Sequence, residues 1–169
     1  DTAQILLTED DFDSRIHTEI FQQIIDRTLE NQILPVINEN DISTTPEQVF
    51  GDNDQMSAHV AHFTNSDLLV ILSDIDGYYD KNPKKFDDAK ILPLVHEITP
   101  ESLLEEHTPN HEFATGGIVT KLKAAEFMMN QGREMFLCNG YDLNAAEAYL
   151  LNDNQIAGTV FRAYEEEDS

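Results

Sequence analysis

The sequence has 169 residues, of which 40% are hydrophobic and 25% are charged. That size and composition predict one folded globular domain, not a disordered chain. The formal net charge is −23, from 33 acidic and 10 basic residues. A field of that sign repels nucleic acid and anionic membranes, so we expect neither as a partner. It also repels phosphates, and any nucleotide site would therefore need local lysines and a divalent cation.

Apolar runs and cysteine usage favour a cytoplasmic protein. The longest apolar runs, such as residues 68–72, are far too short to cross a bilayer. Cys138 is the only cysteine, and it lies inside an apolar segment. A single thiol cannot staple a secreted fold, so we expect a reducing compartment and a small buried side chain.

The first part of the chain is predicted to form a strand, a helix and a second strand. Residues 5–7 are a short apolar strand, and residues 8–13 are a polar turn. A helix begins at Ser14, and helical spacing places several apolar side chains near one face. These side chains are Ile16, Ile20, Ile24, Ile25 and Leu29. Residues 33–37 then form a strand, in which Pro35 indicates an edge or a break in pairing.

The remaining sequence continues the alternation. In chain order it predicts a polar loop over residues 38–53, a helix over 54–63, a strand over 68–72, a loop over 74–90, a short helix from Thr99, a helix from Gly116 to about Gln131, a strand over 135–138, a helix over 145–151 and a strand over 159–161. Strands that alternate with helices predict an α/β fold with a mainly parallel sheet. Ligands of such folds bind at the carboxyl ends of the strands. The loops after residues 37 and 72 are placed there.

The first of these loops carries two polar clusters. Residues 38–41 read Asn-Glu-Asn-Asp, and residues 51–54 read Gly-Asp-Asn-Asp. Carboxylates and carboxamides together suit a small zwitterion whose ammonium group needs acceptors. Asx turns and a helix N-cap at Asp52 or Asp54 explain the same residues. A calcium loop is weaker, because the EF-hand spacing is missing.

Two further loops could hold a nucleotide. The segment from Ser73 to Tyr79 places a hydroxyl and a carboxylate at a strand exit, then a glycine turn and two aromatic residues. Ordinary turn chemistry explains that segment equally well. Gly116 and Gly117 open a helix, where backbone N–H groups can receive phosphate, and Lys121 follows about one turn later. This signal is weak alone, since the Walker A spacing is absent.

Taken in order, these motifs resemble the glutamate 5-kinases of the amino acid kinase family. The resemblance rests on VINEND (36–41), FGDND (50–54), ILSDIDGYYDKNP (71–83) and TGGIVTKLKAA (115–125), with QILLT and Gly158-Thr159 near the two ends. It covers essentially the whole chain. It implies the three-layer αβα sandwich of that family, present here incompletely as one domain over residues 1–169. It also implies ATP-dependent phosphorylation of the γ-carboxylate of L-glutamate, the first step of proline synthesis.

The resemblance also implies site residues and partners. Glutamate would be bound by Asp41, Asp52, Asn53 and Asp54, and the nucleotide by Ser73, Asp74, Thr115, Gly116, Gly117, Ile118, Val119, Thr120 and Lys121. Asp54 and Lys121 would act in catalysis, Mg²⁺ would arrive with ATP, and no metal ion would be held by the protein alone. Homodimers or tetramers are usual in the family, and proline is a common feedback inhibitor.

The sequence departs from the family pattern in three ways. It resembles only the C-terminal two-thirds of the kinase domain, without the phosphate-binding N-terminal segment, so we expect this segment alone to be inactive. Ala114 stands where glycine is usual, and the helix from Ser14 to Gln32 lacks the Tyr-Leu-Asn run that is common there. No PUA domain follows, as it does in many members of the family. Two alternatives stay open at this point. One is another family member, such as an acetylglutamate or uridylate kinase, and the other is a non-catalytic module that binds amino acids or divalent ions.

Overall fold

The computed structural model of the protein describes residues 1–42, 53–103 and 117–164. These residues form two compact units, Asp1–Ser66 and Asp67–Ser169. Each unit has its own sheet. The assignment of residues 1–169 to one domain stays a prediction. Within the described residues, no helix is both long and apolar enough to span a membrane.

Unit 1 is built around a parallel pair of strands. Its elements are β1 (Thr2–Leu7), α1 (Asp10–Asp13), α2 (Arg15–Glu30), β2 (Leu34–Glu39) and α3 (Asn53–Phe63). β1 and β2 pair from Thr2↔Leu34 to Leu7↔Glu39, so Pro35 lies within a paired strand. The predicted turn over residues 8–13 is wrong in part, because it contains α1. The Asp11 carboxylate accepts hydrogen bonds from the N–H and hydroxyl of Thr8 (2.7 and 3.0 Å) and so holds the start of this short helix.

The core of unit 1 lies on one face of this strand pair. It consists of Leu7, Phe12, Phe21 and Ile25, with Ile5, Ile37, Val60 and Phe63 packed against them. The other face carries the exposed side chains of Leu6, Leu34 and Val36. A parallel sheet is normally covered on both faces, and the residues that the structure describes cover this one on one face.

The apolar face predicted for α2 is not the face that packs in the core of unit 1. Of the five apolar residues assigned to that face, only Ile25 is buried, whereas Ile16, Ile20, Ile24 and Leu29 are exposed. Phe21, which was not assigned to it, lies in the core. The start of α2 is confirmed, because the Ser14 hydroxyl accepts a hydrogen bond from the backbone N–H of His17 (3.4 Å).

Unit 2 contains a four-stranded mixed sheet. Its elements are β3 (Leu68–Ser73), β4 (Leu94–Val95), a 3₁₀ helix (Pro100–Leu103), α4 (Gly117–Asn130), β5 (Glu134–Asn139), α5 (Asn144–Asn152) and β6 (Thr159–Phe161). The strand order is β3-β5-β6-β4. β3 is parallel to β5 and β4 is parallel to β6, which confirms a mainly parallel arrangement. The antiparallel pairing of β5 with β6 was not predicted, and neither was β4.

The core of unit 2 surrounds β5. Residues 135–138 are fully buried, so both faces of the strand are covered. Phe136 and Cys138 pack with Ala145 and Ala146 of α5. Strand alternation directs Met135 and Leu137 to the opposite face, and α4 also contacts β5. Helices therefore cover the sheet on both sides, as the predicted αβα layering requires.

Candidate functional site

The exit of β3 carries the first pair of predicted nucleotide-binding residues. Ser73 is the last residue of β3 and is buried, while Asp74 follows it and is exposed. The Ser73 hydroxyl donates a hydrogen bond to Asp74 Oδ1 (3.1 Å). The pair therefore presents one exposed carboxylate at the carboxyl end of a sheet strand, as predicted.

Asn139 joins the exits of β3 and β5, and sequence reasoning missed it. Asn139 lies opposite Ser73 in the parallel register, and its Nδ2 donates to Asp76 Oδ1 (2.7 Å). Its Oδ1 accepts from the backbone N–H groups of Tyr141 (2.7 Å) and Asp142 (3.3 Å). One side chain thus orders both loops. The Asn-Gly turn signal at residues 139–140 could have drawn attention to it.

The glycine turn after β3 is fixed from beneath by β6. A methyl group at Gly77 would lie 2.8 Å from Ile91 Cγ2 and 2.9 Å from Thr159 Oγ1, so only glycine fits there without a shift. Thr159 is fully buried, and its hydroxyl accepts a hydrogen bond from the N–H of Tyr78 (2.8 Å). The residues from Ser73 to Tyr78 are therefore held by the core of unit 2.

The two aromatic residues of this loop have different environments. Tyr78 is buried, with its ring 6.2 Å from that of Phe161, so it packs in the core and does not face a ligand. Tyr79 is half-buried, and burial together with the nearby Asp76 charge raises the pKa of its phenol. Of the two rings, only that of Tyr79 has a solvent-facing part that a nucleotide base could contact.

The helix α4 holds the described part of the glycine-rich motif. Thr115 and Gly116 lie outside the described residues, and the helix is described from Gly117. Ile118 and Val119 are buried, so their side chains anchor the helix and only their backbone N–H groups could face a ligand. First-turn N–H groups have no partner within a helix, which suits a phosphate.

Two polar residues of α4 complete that motif. The Thr120 hydroxyl donates to the Gly117 carbonyl oxygen (3.0 Å), which steadies the first turn. Lys121 is half-buried, whereas Lys123 on the same helix is exposed. Lys121, the lysine that was predicted to act in catalysis, is therefore the more buried of the two.

The order of the elements places the start of α4 at the same sheet edge as Ser73 and Asn139. A tight turn, in which the Arg133 N–H donates to the Met128 carbonyl oxygen (3.0 Å), reverses the chain between α4 and β5. A helix of 14 residues and a strand of 6 residues have nearly equal lengths, about 20 Å each. Since α4 packs on β5 in the opposite direction, Gly117 lies near the level of the carboxyl end of β5.

The predicted glutamate-binding residues belong to unit 1. Asp41 is exposed in a turn just after β2, where the Asn40 N–H donates to the Leu7 carbonyl oxygen (2.7 Å). Asn53 is exposed at the first residue of α3, and Asp54 is half-buried in its first turn. A carboxylate there interacts favourably with the helix dipole. Asp52 lies outside the described residues, so these roles stay predictions.

Metal-ligand chemistry is sparse in the described part of the chain. Within residues 1–42, 53–103 and 117–164, no group of three or more His, Cys, Asp or Glu side chains is placed to enclose a metal ion. The isolated carboxylates of Asp74 and Asp76 at the β3 exit are of the kind that assists Mg²⁺ when substrate phosphates and water supply its other ligands.

Comparison with known proteins agrees with this architecture. The amino acid kinase family matches residues 1–139. The chain is 54% identical over 163 residues to "Glutamate 5-kinase" of Wolinella succinogenes, covering 94% of this chain and 62% of that protein. It is 51% identical over 160 residues to "Glutamate 5-kinase" of Helicobacter hepaticus, covering 95% of this chain and 61% of that protein. It thus spans about three-fifths of the relatives it matches.

Similarity to a solved structure supports the fold alone. The crystal structure of UMP kinase from Bacillus anthracis superposes with a TM-score of 0.59 at 14% identity, covering 85% of this chain and 52% of that one. The layered unit 2, the polar strand exits and the match over residues 1–139 agree with one another. This chain belongs to the amino acid kinase family.

Proposed function

We propose that the protein is an ATP-dependent kinase that phosphorylates the γ-carboxylate of L-glutamate. The observation that carries this proposal is the identity of 54% and 51% to relatives named glutamate 5-kinase. The exposed polar residues at the strand exits of both units supply chemistry of the required kind. L-Glutamyl 5-phosphate, the product, would enter proline synthesis.

The residues divide into two groups by unit. Asp41, Asp52, Asn53 and Asp54 of unit 1 would bind glutamate. Ser73, Asp74 and the residues from Thr115 to Lys121 of unit 2 would bind ATP. Carboxylates and carboxamides accept hydrogen bonds from the substrate ammonium group, and helix N–H groups receive phosphate oxygens.

The chemistry requires positioning and charge neutralisation more than proton transfer. A γ-carboxylate oxygen of glutamate attacks the γ-phosphorus of ATP, and the bond from that phosphorus to the ADP oxygen breaks. The acceptor is already ionised near pH 7, so no general base is needed. Lys121 would stabilise negative charge on the transferring phosphoryl group, and Asp54 would help to hold the substrate in position. Mg²⁺ would accompany ATP and neutralise its phosphates.

The proposal includes a cytoplasmic location, which the lone buried Cys138 favours. Inhibition by proline also belongs to the proposal, because it is common in the family that the sequence resembles. The proposed residue roles do not depend on the location or on inhibition by proline.

Paired lysine variants test the proposal. The chain and the product of its complete gene should be assayed with L-glutamate, ATP and Mg²⁺, and we expect glutamate-dependent ADP formation from the complete product. Lys121→Ala should lower kcat by about a hundredfold or more. Lys123→Ala, on the exposed side of the same helix, should leave kcat nearly unchanged.

Other outcomes would contradict the assignment in different ways. No glutamate-dependent ADP formation by the complete product would overturn the function. Equal losses of kcat in the two lysine variants would overturn the role of Lys121 but not the assigned function. A substrate panel with N-acetylglutamate and UMP separates the other kinases of this family. Tight glutamate or calcium binding without ATP binding, measured by calorimetry, would favour a non-catalytic module.

A further inference from the structure

The chain that follows the β3 exit is a basic segment in an acidic protein. Residues 80–90, here called the lysine loop, contain Lys81, Lys84, Lys85 and Lys90, which are four of the ten lysine and arginine residues of the chain. The same segment contains three aspartates, so its formal net charge is +1, whereas that of the whole chain is −23. The lysine loop is therefore a local region of positive charge within a strongly negative molecule.

Hydrogen bonds close the base of the lysine loop. The Asp80 N–H donates to the Lys90 carbonyl oxygen (2.9 Å), and the Lys90 N–H donates to Asp80 Oδ1 (2.8 Å). One step nearer the sheet, the Leu92 N–H donates to the carbonyl oxygen of Tyr78 (2.8 Å), which is buried in the core. Both ends of the loop are thus anchored to unit 2.

The interior of the lysine loop is ordered by two polar side chains. Asn82 is buried, and its Oδ1 accepts a hydrogen bond from the N–H of Lys84 (2.8 Å), while its carbonyl oxygen accepts from the N–H of Lys85 (3.0 Å). The Asp88 carboxylate pairs with the Lys81 ammonium group (2.6 Å) and braces the loop across its width. The backbone of the loop therefore holds Lys84 and Lys85 in place, and both side chains are exposed.

The lysine loop lies at the sheet edge that carries the proposed nucleotide residues. Asp76, which accepts from Asn139 at the exits of β3 and β5, precedes Lys81 by only five residues. Five residues span at most about 18 Å. The chain also returns to this edge after the loop, because Ile91 lies against the glycine turn at Gly77.

The kind of partner follows from the size of the positive region. Nucleic acid and anionic membranes need many phosphate contacts at once, and the charge of −23 opposes them. A nucleotide brings only a few charges and responds to a local field. Exposed lysines contribute little as individual ion pairs, but several together raise the rate at which an anion arrives.

We propose that the lysine loop is an electrostatic entry surface for ATP, which accelerates association of the nucleotide with unit 2. This inference rests on the proposed function, because it takes ATP as the ligand of the β3 exit. Lys121 would act on the bound phosphates, whereas the lysine loop acts while the nucleotide approaches. Loss of loop charge should therefore lower the association rate constant and leave the dissociation rate constant and kcat nearly unchanged.

Stopped-flow binding of a fluorescent N-methylanthraniloyl derivative of ATP, with Mg²⁺ and the product of the complete gene, tests the entry surface. At an ionic strength of about 10 mM, Lys84→Gln/Lys85→Gln should lower the association rate constant by about threefold to tenfold. At about 150 mM the difference should shrink to less than about twofold, because salt screens the exposed charges.

A double variant with the same change of charge is the matched control. Asn130→Asp/Gln131→Glu also makes the protein more negative by two charges. Both residues are exposed at the end of α4, at the opposite edge of the sheet from the β3 exit. The control should change the association rate constant by less than about twofold, because its charges lie far from the entry surface. Circular dichroism should show that both double variants stay folded, since all four side chains are exposed.

Three outcomes would overturn the entry surface. One is equal association rate constants in the wild type and the lysine variant at low salt, and another is an equal loss in the control. The third is a faster dissociation with unchanged association, which would make the lysines direct contacts of the bound nucleotide. Nucleotide association is measured without glutamate, so a protein that shows steering but no glutamate-dependent ADP formation would contradict only the proposed function.

Discussion

The two units of this protein use their strands differently. In unit 2, β5 is buried on both faces and its neighbours hold the loops at its carboxyl end through specific hydrogen bonds. In the described part of unit 1, β1 and β2 are covered on one face, and apolar side chains remain exposed on both the sheet and α2. The core of unit 2 therefore encloses β5 and holds the loops that follow β3 and β5. The described part of unit 1 has its core on one face of the strand pair.

The largest expected loss of stability in unit 2 comes from a methyl group added at Gly158. This residue has φ +81°, and a Cβ there would lie 2.7 Å from both the Leu137 carbonyl oxygen and a Phe136 ring carbon. Backbone strain and steric overlap in the core should together lower the free energy of unfolding by about 3 kcal/mol or more. Urea denaturation measures the loss.

Gly132 supplies the matched control for that substitution. It also has positive φ (+67°), but no atom lies within 4 Å of its added Cβ. Gly132→Ala should cost only the backbone strain, about 1–2 kcal/mol. Equal losses at the two glycines would contradict the claim that the core of unit 2 encloses Gly158 tightly.

A buried hydroxyl gives the next largest effect. Thr159→Val removes the acceptor of the Tyr78 N–H in the core of unit 2, which should destabilise the protein by about 1–3 kcal/mol. In unit 1 the Thr28 hydroxyl bonds the Ile24 carbonyl oxygen (2.6 Å) on the exposed part of α2. Thr28→Val should change stability by less than about 0.5 kcal/mol. Thermal unfolding measures both losses of stability. A larger loss in Thr28→Val than in Thr159→Val would contradict the account.

Removal of the Asn139 side chain should change ligand binding more than stability. Asn139→Ala removes the hydrogen bonds that the Asn139 side chain makes with Asp76 and with the backbone N–H groups of Tyr141 and Asp142. Because the exposed loops then lose their fixed arrangement, ATP affinity should fall by about threefold to tenfold. Calorimetry with ATP and Mg²⁺ measures this, and Asn130→Ala on the exposed end of α4 is the control. Unchanged ATP affinity in a folded Asn139→Ala protein would remove the ordering role.

The smallest expected change concerns Cys138. Burial raises the pKa of its thiol, so the group stays protonated at neutral pH and is shielded by the core of unit 2. We expect negligible reaction with a thiol reagent in the native state and rapid reaction in denaturant. An increase in pH within the stable range should accelerate labelling only weakly. Fast labelling of the folded protein would show that unit 2 opens more readily than its packing implies.

Local signals in the sequence predicted most elements, but not how they pair. The helix stop at Gly132, the Ser14 cap and the strand before Ser73 follow from short-range chemistry, and the structure confirms them. The antiparallel pairing of β6 and the bond from Asn139 to Asp76 join residues far apart in the chain, so spacing could not show them. Periodicity found apolar residues on α2, but it could not decide which of two apolar faces the core would take.

The candidate site was predictable to the extent that its motifs are local. Ser73 and Asp74 lie at a strand exit, and Gly117 begins a helix, as the sequence indicated. Tyr78 was harder to interpret, because a tyrosine beside a glycine turn can face either the solvent or the core. Only the packing against Phe161 decides that question.

Trapping with hydroxylamine tests the proposed reaction most directly. The product of the complete gene should be incubated with ATP, Mg²⁺, L-glutamate and hydroxylamine, which converts an acyl phosphate into a hydroxamate. We predict glutamyl γ-hydroxamate in equal amount to ADP, and loss of both in Lys121→Ala. ADP formation without hydroxamate, or no dependence of ADP on glutamate, would contradict phosphorylation of the γ-carboxylate.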